Sequence, residues 1–196
     1  GYSCMDGTSG LATGCPQNQV LTQEGLAISS TAKIARDFAG NSTTSNVVTV
    51  KIDRTAPTIV ARYLNQPNVN AWYRGDAVIE FDCADALSGI APGDCLPSLT
   101  LSEEGVNISR TVQVHDVAGL VGSAFVVLNI DKTAPVLSVT MPPAQVFLNA
   151  SHNFNLSATD ALSGVASQGC GAINTSTLGT RTVTCTATDR AGNSIS

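Results

Sequence analysis

Ala35-Arg36-Asp37-Phe38-Ala39-Gly40-Asn41 recurs as Val114-His115-Asp116-Val117-Ala118-Gly119-Leu120 and again as Ala187-Thr188-Asp189-Arg190-Ala191-Gly192-Asn193, at intervals of 79 and 73 residues. A second marker, Ile52-Asp53-Arg54-Thr55-Ala56-Pro57, returns 78 residues later as Ile130-Asp131-Lys132-Thr133-Ala134-Pro135. A third, Asp85-Ala86-Leu87-Ser88-Gly89-Ile90, returns after 75 residues as Asp160-Ala161-Leu162-Ser163-Gly164-Val165, with a weaker earlier copy at Asp6-Gly7-Thr8-Ser9-Gly10-Leu11. The markers keep one order and a period of about 75 to 79 residues. A fixed period of this kind decides the architecture before any residue-by-residue assignment.

Between the markers the apolar residues alternate. Ala77, Ile79, Phe81 and Cys83 share one face against Val78, Glu80 and Asp82, and Phe154, Leu156 and Ala158 stand against Asn155, Ser157 and Thr159. Val183, Cys185 and Ala187 repeat the pattern, as do Ala124, Val126, Leu128 and Ile130, matched earlier by Val48, Val50 and Ile52. A period of two is a half-buried strand, and Thr and Val suit a pleated surface. No segment of helical length shows apolar residues at 3.6 spacing, so the chain reads as all-β. In each Asp-x-Ala-Gly segment the carboxylate accepts nearby backbone N–H groups and Gly takes positive φ, which is what a tight turn requires.

The run Asp-x-Ala-Gly-Asn, Ile-Asp-x-Thr-Ala-Pro and Asp-Ala-Leu-Ser-Gly resembles the bacterial immunoglobulin-like repeats, related to hyalin-type repeats, of large secreted and surface proteins. Thr182 to Asn193 is especially similar to the hyalin-type pattern. The resemblance implies tandem immunoglobulin-like β-sandwiches: repeat 1 over 1–53, N-terminally incomplete; repeat 2 over 54–131, complete; repeat 3 over 132–196, C-terminally incomplete. The expectation is that unseen sequence, or strands donated by a neighbouring subunit, completes the outer two. Leu120 departs from the pattern, which has Asn there, and a slightly different hairpin is expected around it.

Composition narrows the function. The 196 residues are 43% hydrophobic but only 13% charged and 5% aromatic, so cores are built from Val, Ile, Leu and Ala. A net charge of −5 opposes phosphate binding, which argues against a nucleic-acid partner. No apolar run reaches membrane-spanning length, and neither an anchor nor a signal peptide is expected in this stretch.

Six cysteines without metal-type Cys-x-x-Cys spacing read as disulfides made in an oxidising, extracytoplasmic compartment. Fifteen pairings are open in principle. Aligning the repeats puts Cys4 and Cys15 in the places of Cys83 and Cys95, while Ala158 stands where Cys83 would be matched and leaves Cys170 to Cys185. The expected bridges are Cys4 to Cys15, Cys83 to Cys95 and Cys170 to Cys185; reduced core thiols are the alternative. Glycosylation acceptor patterns occur at Asn41, Asn107, Asn149, Asn155 and Asn174, and matter only where the host has that pathway.

Catalytic chemistry is hard to assemble from these residues. The two histidines, His115 and His152, fall in different repeats, and no nucleophile elbow, metal-binding His pair or phosphate loop is present. His115 reads as a surface residue and Glu103-Glu104 as turn solvation. Trp72-Tyr73 suggests either core packing or a sugar platform, and Lys33, at an inward position, suggests an isopeptide partner. One site has geometry behind it. In an immunoglobulin-like topology the Asp85 loop and Asp116 hairpin share the pole that the preceding linker enters, so Asp53, Asp85 and Asp116 should converge, and likewise Asp131, Asp160 and Asp189. Three carboxylates with backbone carbonyls suit Ca²⁺, the one cofactor entertained. The competing reading has each Asp capping its own turn.

The resemblance and the composition together point to a non-enzymatic stalk, adhesin or fibre unit of an extracellular bacterial surface protein. Its partners would be neighbouring domains of the same protein, a surface or matrix ligand, or like subunits. The alternatives are a spacer of a secreted polysaccharide-active enzyme and a strand-exchanging filament subunit.

Overall fold

The computed structural model describes residues 1–140 and 145–196. Its regular structure is all strand. β1 (Gly25–Ser29), β2 (Ile34–Arg36), β3 (Ser42–Thr44) and β4 (Thr49–Ile52) form two antiparallel pairs, β1 with β4 and β2 with β3. β5 (Thr58–Tyr63), β6 (Trp72–Tyr73), β7 (Ala77–Ala84), β8 (Ser98–Leu101), β9 (Gly105–His115) and β10 (Val121–Ile130) form two three-stranded sheets, ordered β5-β7-β8 and β6-β10-β9. β11 (Val136–Thr140) pairs antiparallel with β12 (Asn155–Thr159), and β13 (Val165–Cys170), β14 (Cys185–Asp189) and β15 (Ser194–Ile195) complete the last sheet. No helix among the described residues is long and apolar enough to cross a membrane.

Alternation along the strands places the core. On β7, Ala77, Ile79 and Phe81 are buried while Asp82 is exposed; on β10, Val126, Leu128 and Ile130 are buried while Phe125 and Val127 face out. Ile108 and Val114 of β9 and Leu101 of β8 add to the buried set. Fully burying each large aliphatic or aromatic side chain contributes about 1.5 to 3 kcal/mol. β7 and β8 run antiparallel with Ala77 opposite Leu101 and Ile79 opposite Leu99. The two-residue β6 pairs parallel to the end of β10, Asn129 opposite Trp72 and Ile130 opposite Tyr73. Trp72 and Tyr73 are buried there, so the indole face expected as an alternative sugar platform is given over to packing.

The chain divides into two compact units. One comprises Gly1–Thr58, Cys83–Cys95 and Val114–Gly122; the other comprises Ile59–Asp82, Leu96–Gln113 and Ser123–Ser196. In the first, Cys4–Cys15 and Cys83–Cys95 close loops with separations of 11 and 12 residues. In the second, Cys170–Cys185 joins β13 to β14 across 15 residues. Bridges over loops of this length contribute roughly 3 kcal/mol on the chain-entropy model, and they form and persist in oxidising compartments.

Two expectations about the N-terminal segment are corrected. Val48, read as inward, is exposed, and its strand starts at Thr49. Lys33 is exposed too, with its N–H donating to Ser45 Oγ at 2.9 Å, so it lacks the buried setting an isopeptide bond needs. The reason is a thin core: within residues 1–58 only Ala35 and Pro57 are buried, leaving little apolar surface for Val48 to pack against.

Candidate metal centres

The recurring motifs fold into the same local device wherever they occur. Asp85 Oδ1 accepts the N–H groups of Leu87 (3.1 Å) and Gly89 (2.7 Å); Asp160 Oδ1 does the same with Leu162 (3.2 Å) and Gly164 (2.6 Å). Asp6 Oδ1 accepts from Thr8, Ser9 and Gly10 at 2.8 to 2.9 Å. The closing glycine has positive φ in each copy, 76° at Gly10, 79° at Gly89 and 77° at Gly164, where a Cβ would be strained. In the hairpins, Asp37, Asp116 and Asp189 each accept the N–H four residues on, from Asn41, Leu120 and Asn193 at 2.7 to 2.8 Å.

The Asp of each Ile-Asp-x-Thr-Ala-Pro segment then reaches across to such a loop. Asp53 Oδ1 accepts from Thr55 N–H (3.0 Å) and Oδ2 from Ser88 N–H (2.9 Å). Asp131 Oδ1 accepts from Thr133 N–H (3.1 Å) and Oδ2 from Ser163 N–H (3.0 Å). The serine hydroxyls accept in turn from the hairpins, Ala118 N–H to Ser88 Oγ at 3.3 Å and Ala191 N–H to Ser163 Oγ at 3.2 Å. Hydrogen bonding to Ser88, its side chain first, and to the Thr55 N–H holds the Asp53 carboxyl below its ordinary value.

These contacts bring six of the expected residues together as two groups. One carboxylate oxygen each from Asp53, Asp85 and Asp116, all in the first unit, lie within 4.8 Å of one another; Asp131, Asp160 and Asp189, all in the second, do likewise. Asp116, Asp131 and Asp189 are buried. None of the ion pairs among the described residues involves any of the six. An all-carboxylate set without His or Cys is the donor chemistry of a hard cation.

The groups differ at one position. Asn193 Nδ2 donates to Asp189 Oδ2 (2.9 Å) and to the Asp131 carbonyl (2.9 Å), and Asn41 Nδ2 donates to Asp37 Oδ2 (2.8 Å). Leu120 stands at the corresponding place beside Asp116, and Asp116 Oδ2 is buried with no hydrogen-bond partner.

Glu104 was missed as a site residue. Read as turn solvation, it instead accepts from the Thr133 hydroxyl through both carboxylate oxygens (3.0 Å each) and from the Lys132 N–H. Glu24 makes the matching contacts to the Thr55 hydroxyl at 3.2 and 3.1 Å. The signal was available: Glu24 and Glu104 stand 80 residues apart, close to the interval separating Thr55 from Thr133. His115 is exposed as expected, yet it pairs through Nδ1 with Asp94 Oδ2 at 2.9 Å, tying the Cys95 loop to the end of β9. Compared with known proteins, the chain matches no protein-family model and no curated protein.

Proposed function

We propose that the chain is a run of tandem immunoglobulin-like β-sandwich repeats, similar to bacterial hyalin-like repeats, serving as a non-enzymatic stalk or fibre segment of an extracellular surface protein. A stalk has to transmit position and load, so its linkers must resist bending. The observation that carries the reading is the doubled grip: Asp53 and Asp131 each bind their own linker N–H and a loop N–H 32 to 35 residues further on. The Thr hydroxyls of the same linkers are held by Glu24 and Glu104. Pro57 and Pro135 fix φ next to these contacts and are buried. Three disulfides and a low charge content suit a Thr- and Val-rich extracellular array with small cores.

Trypsin tests the reading, because Arg54 and Lys132 lie inside the two linkers. Where opening is fast, cleavage tracks the open population. Gripped linkers leave the native chain resistant at both sites, and Asp131→Ala opens the Lys132–Thr133 bond to cutting. Native protein cut at Arg54 and Lys132 as fast as a denatured control would contradict the stalk.

A further inference from the structure

We propose that Asp53, Asp85 and Asp116 hold a divalent hard cation of the Ca²⁺ class, and that Leu120 makes this site by withholding the amide which fills the equivalent place elsewhere. Asp116 is 2% exposed, and its Oδ1 is used by the Leu120 N–H at 2.8 Å. Its Oδ2 is buried with no donor. A buried carboxylate oxygen lacking both donor and counter-charge is costly, by roughly 1 to 3 kcal/mol or more for a charged group. The equivalent oxygens of Asp37 and Asp189 avoid that cost through Asn41 and Asn193.

A leucine side chain supplies no donor, and no basic side chain among the described ion pairs reaches the group. What remains beside Asp116 Oδ2 is two further carboxylates, each with an oxygen within 4.8 Å. Asp53 and Asp85 are already positioned by the N–H groups of Thr55, Ser88, Leu87 and Gly89, so the donors are fixed before a ligand arrives. Three negative charges without a positive partner repel one another and attract a divalent ion. All-oxygen donors with room for carbonyls and water favour Ca²⁺ over metals that seek nitrogen or sulfur. The inference stands on these residues whether or not the chain is a stalk.

The test is calorimetric titration of CaCl₂ into the chelated full chain, beside folded Asp116→Asn and Leu120→Asn variants. Asp116→Asn removes the charge; Leu120→Asn restores the amide donor found at Asn41 and Asn193. Both variants should bind one equivalent fewer than the native chain. Millimolar Ca²⁺ should raise the native melting temperature more than that of either variant, since a ligand selective for the folded state stabilises it. If Asp116→Asn does not fold, Leu120→Asn alone carries the comparison. The proposal falls if the native chain binds no Ca²⁺, or if either folded variant binds as many equivalents as the native chain.

Discussion

Asp37 shows how much a single carboxylate does in this protein. The Asn41 side-chain amide first, and then the Asn41 N–H, hold its carboxyl below the ordinary value of 3.8, while the N–H groups of Thr8, Gly10 and Ser9 do the same for Asp6. In both cases the folded-state pKa lies under the unfolded one, so the unfolded chain takes up protons first as the pH falls. The stabilisation is therefore complete above about pH 5 and is lost as the pH drops through the folded values. Urea midpoints measured from pH 7 to pH 2 should fall below about pH 5, and Asp37→Asn should flatten that decline; an unchanged slope would refute the role. The Asp turns were legible because Asp followed by Ser-Gly or Ala-Gly leaves few alternatives for a chain that must reverse direction. The orphaned Asp116 Oδ2 was not legible. Leu120 was visible as a departure from its copies, but only coordinates show that the lost amide leaves a buried oxygen with no substitute.

β10 carries the tightest constraint among the strands. A Cβ built on Gly122 would sit 2.0 Å from the Pro57 carbonyl oxygen, so β10 and the linker approach each other only because this residue has no side chain. Gly122→Ala should cost about 1 to 3 kcal/mol in denaturant unfolding, as overpacking does. Gly169→Ala on β13, where nothing lies within 4 Å, is the control and should stay within about 0.5 kcal/mol. Equal midpoints for the two variants would contradict this packing. The faces of β7 and β10 could be read from alternation alone, since eight and ten residues carry several periods of two. β6 could not, because two residues hold no periodicity and its parallel pairing with β10 depends on contacts distant in sequence. Val48 misled for the opposite reason: its pattern was apolar, but the segment before it buries too little to give that pattern a core.

At the scale of the whole chain, the period of 75 to 79 residues made the all-β class readable, because three ordered motifs share one turn chemistry. Which residues grip the linkers was only half readable. Asp53 and Asp131 stood out in the marker, while Glu24 and Glu104 lay outside every marker and mattered through contacts 29 to 31 residues away. The central claim is that these carboxylates turn short linkers into stiff ones. Backbone ¹⁵N relaxation on the native chain and on Asp131→Ala tests it most directly. The account predicts one rotational correlation time for residues 59–131 and 132–196 in the native chain, and two in the variant. Separate correlation times in the native chain, unchanged by Asp131→Ala, would contradict it.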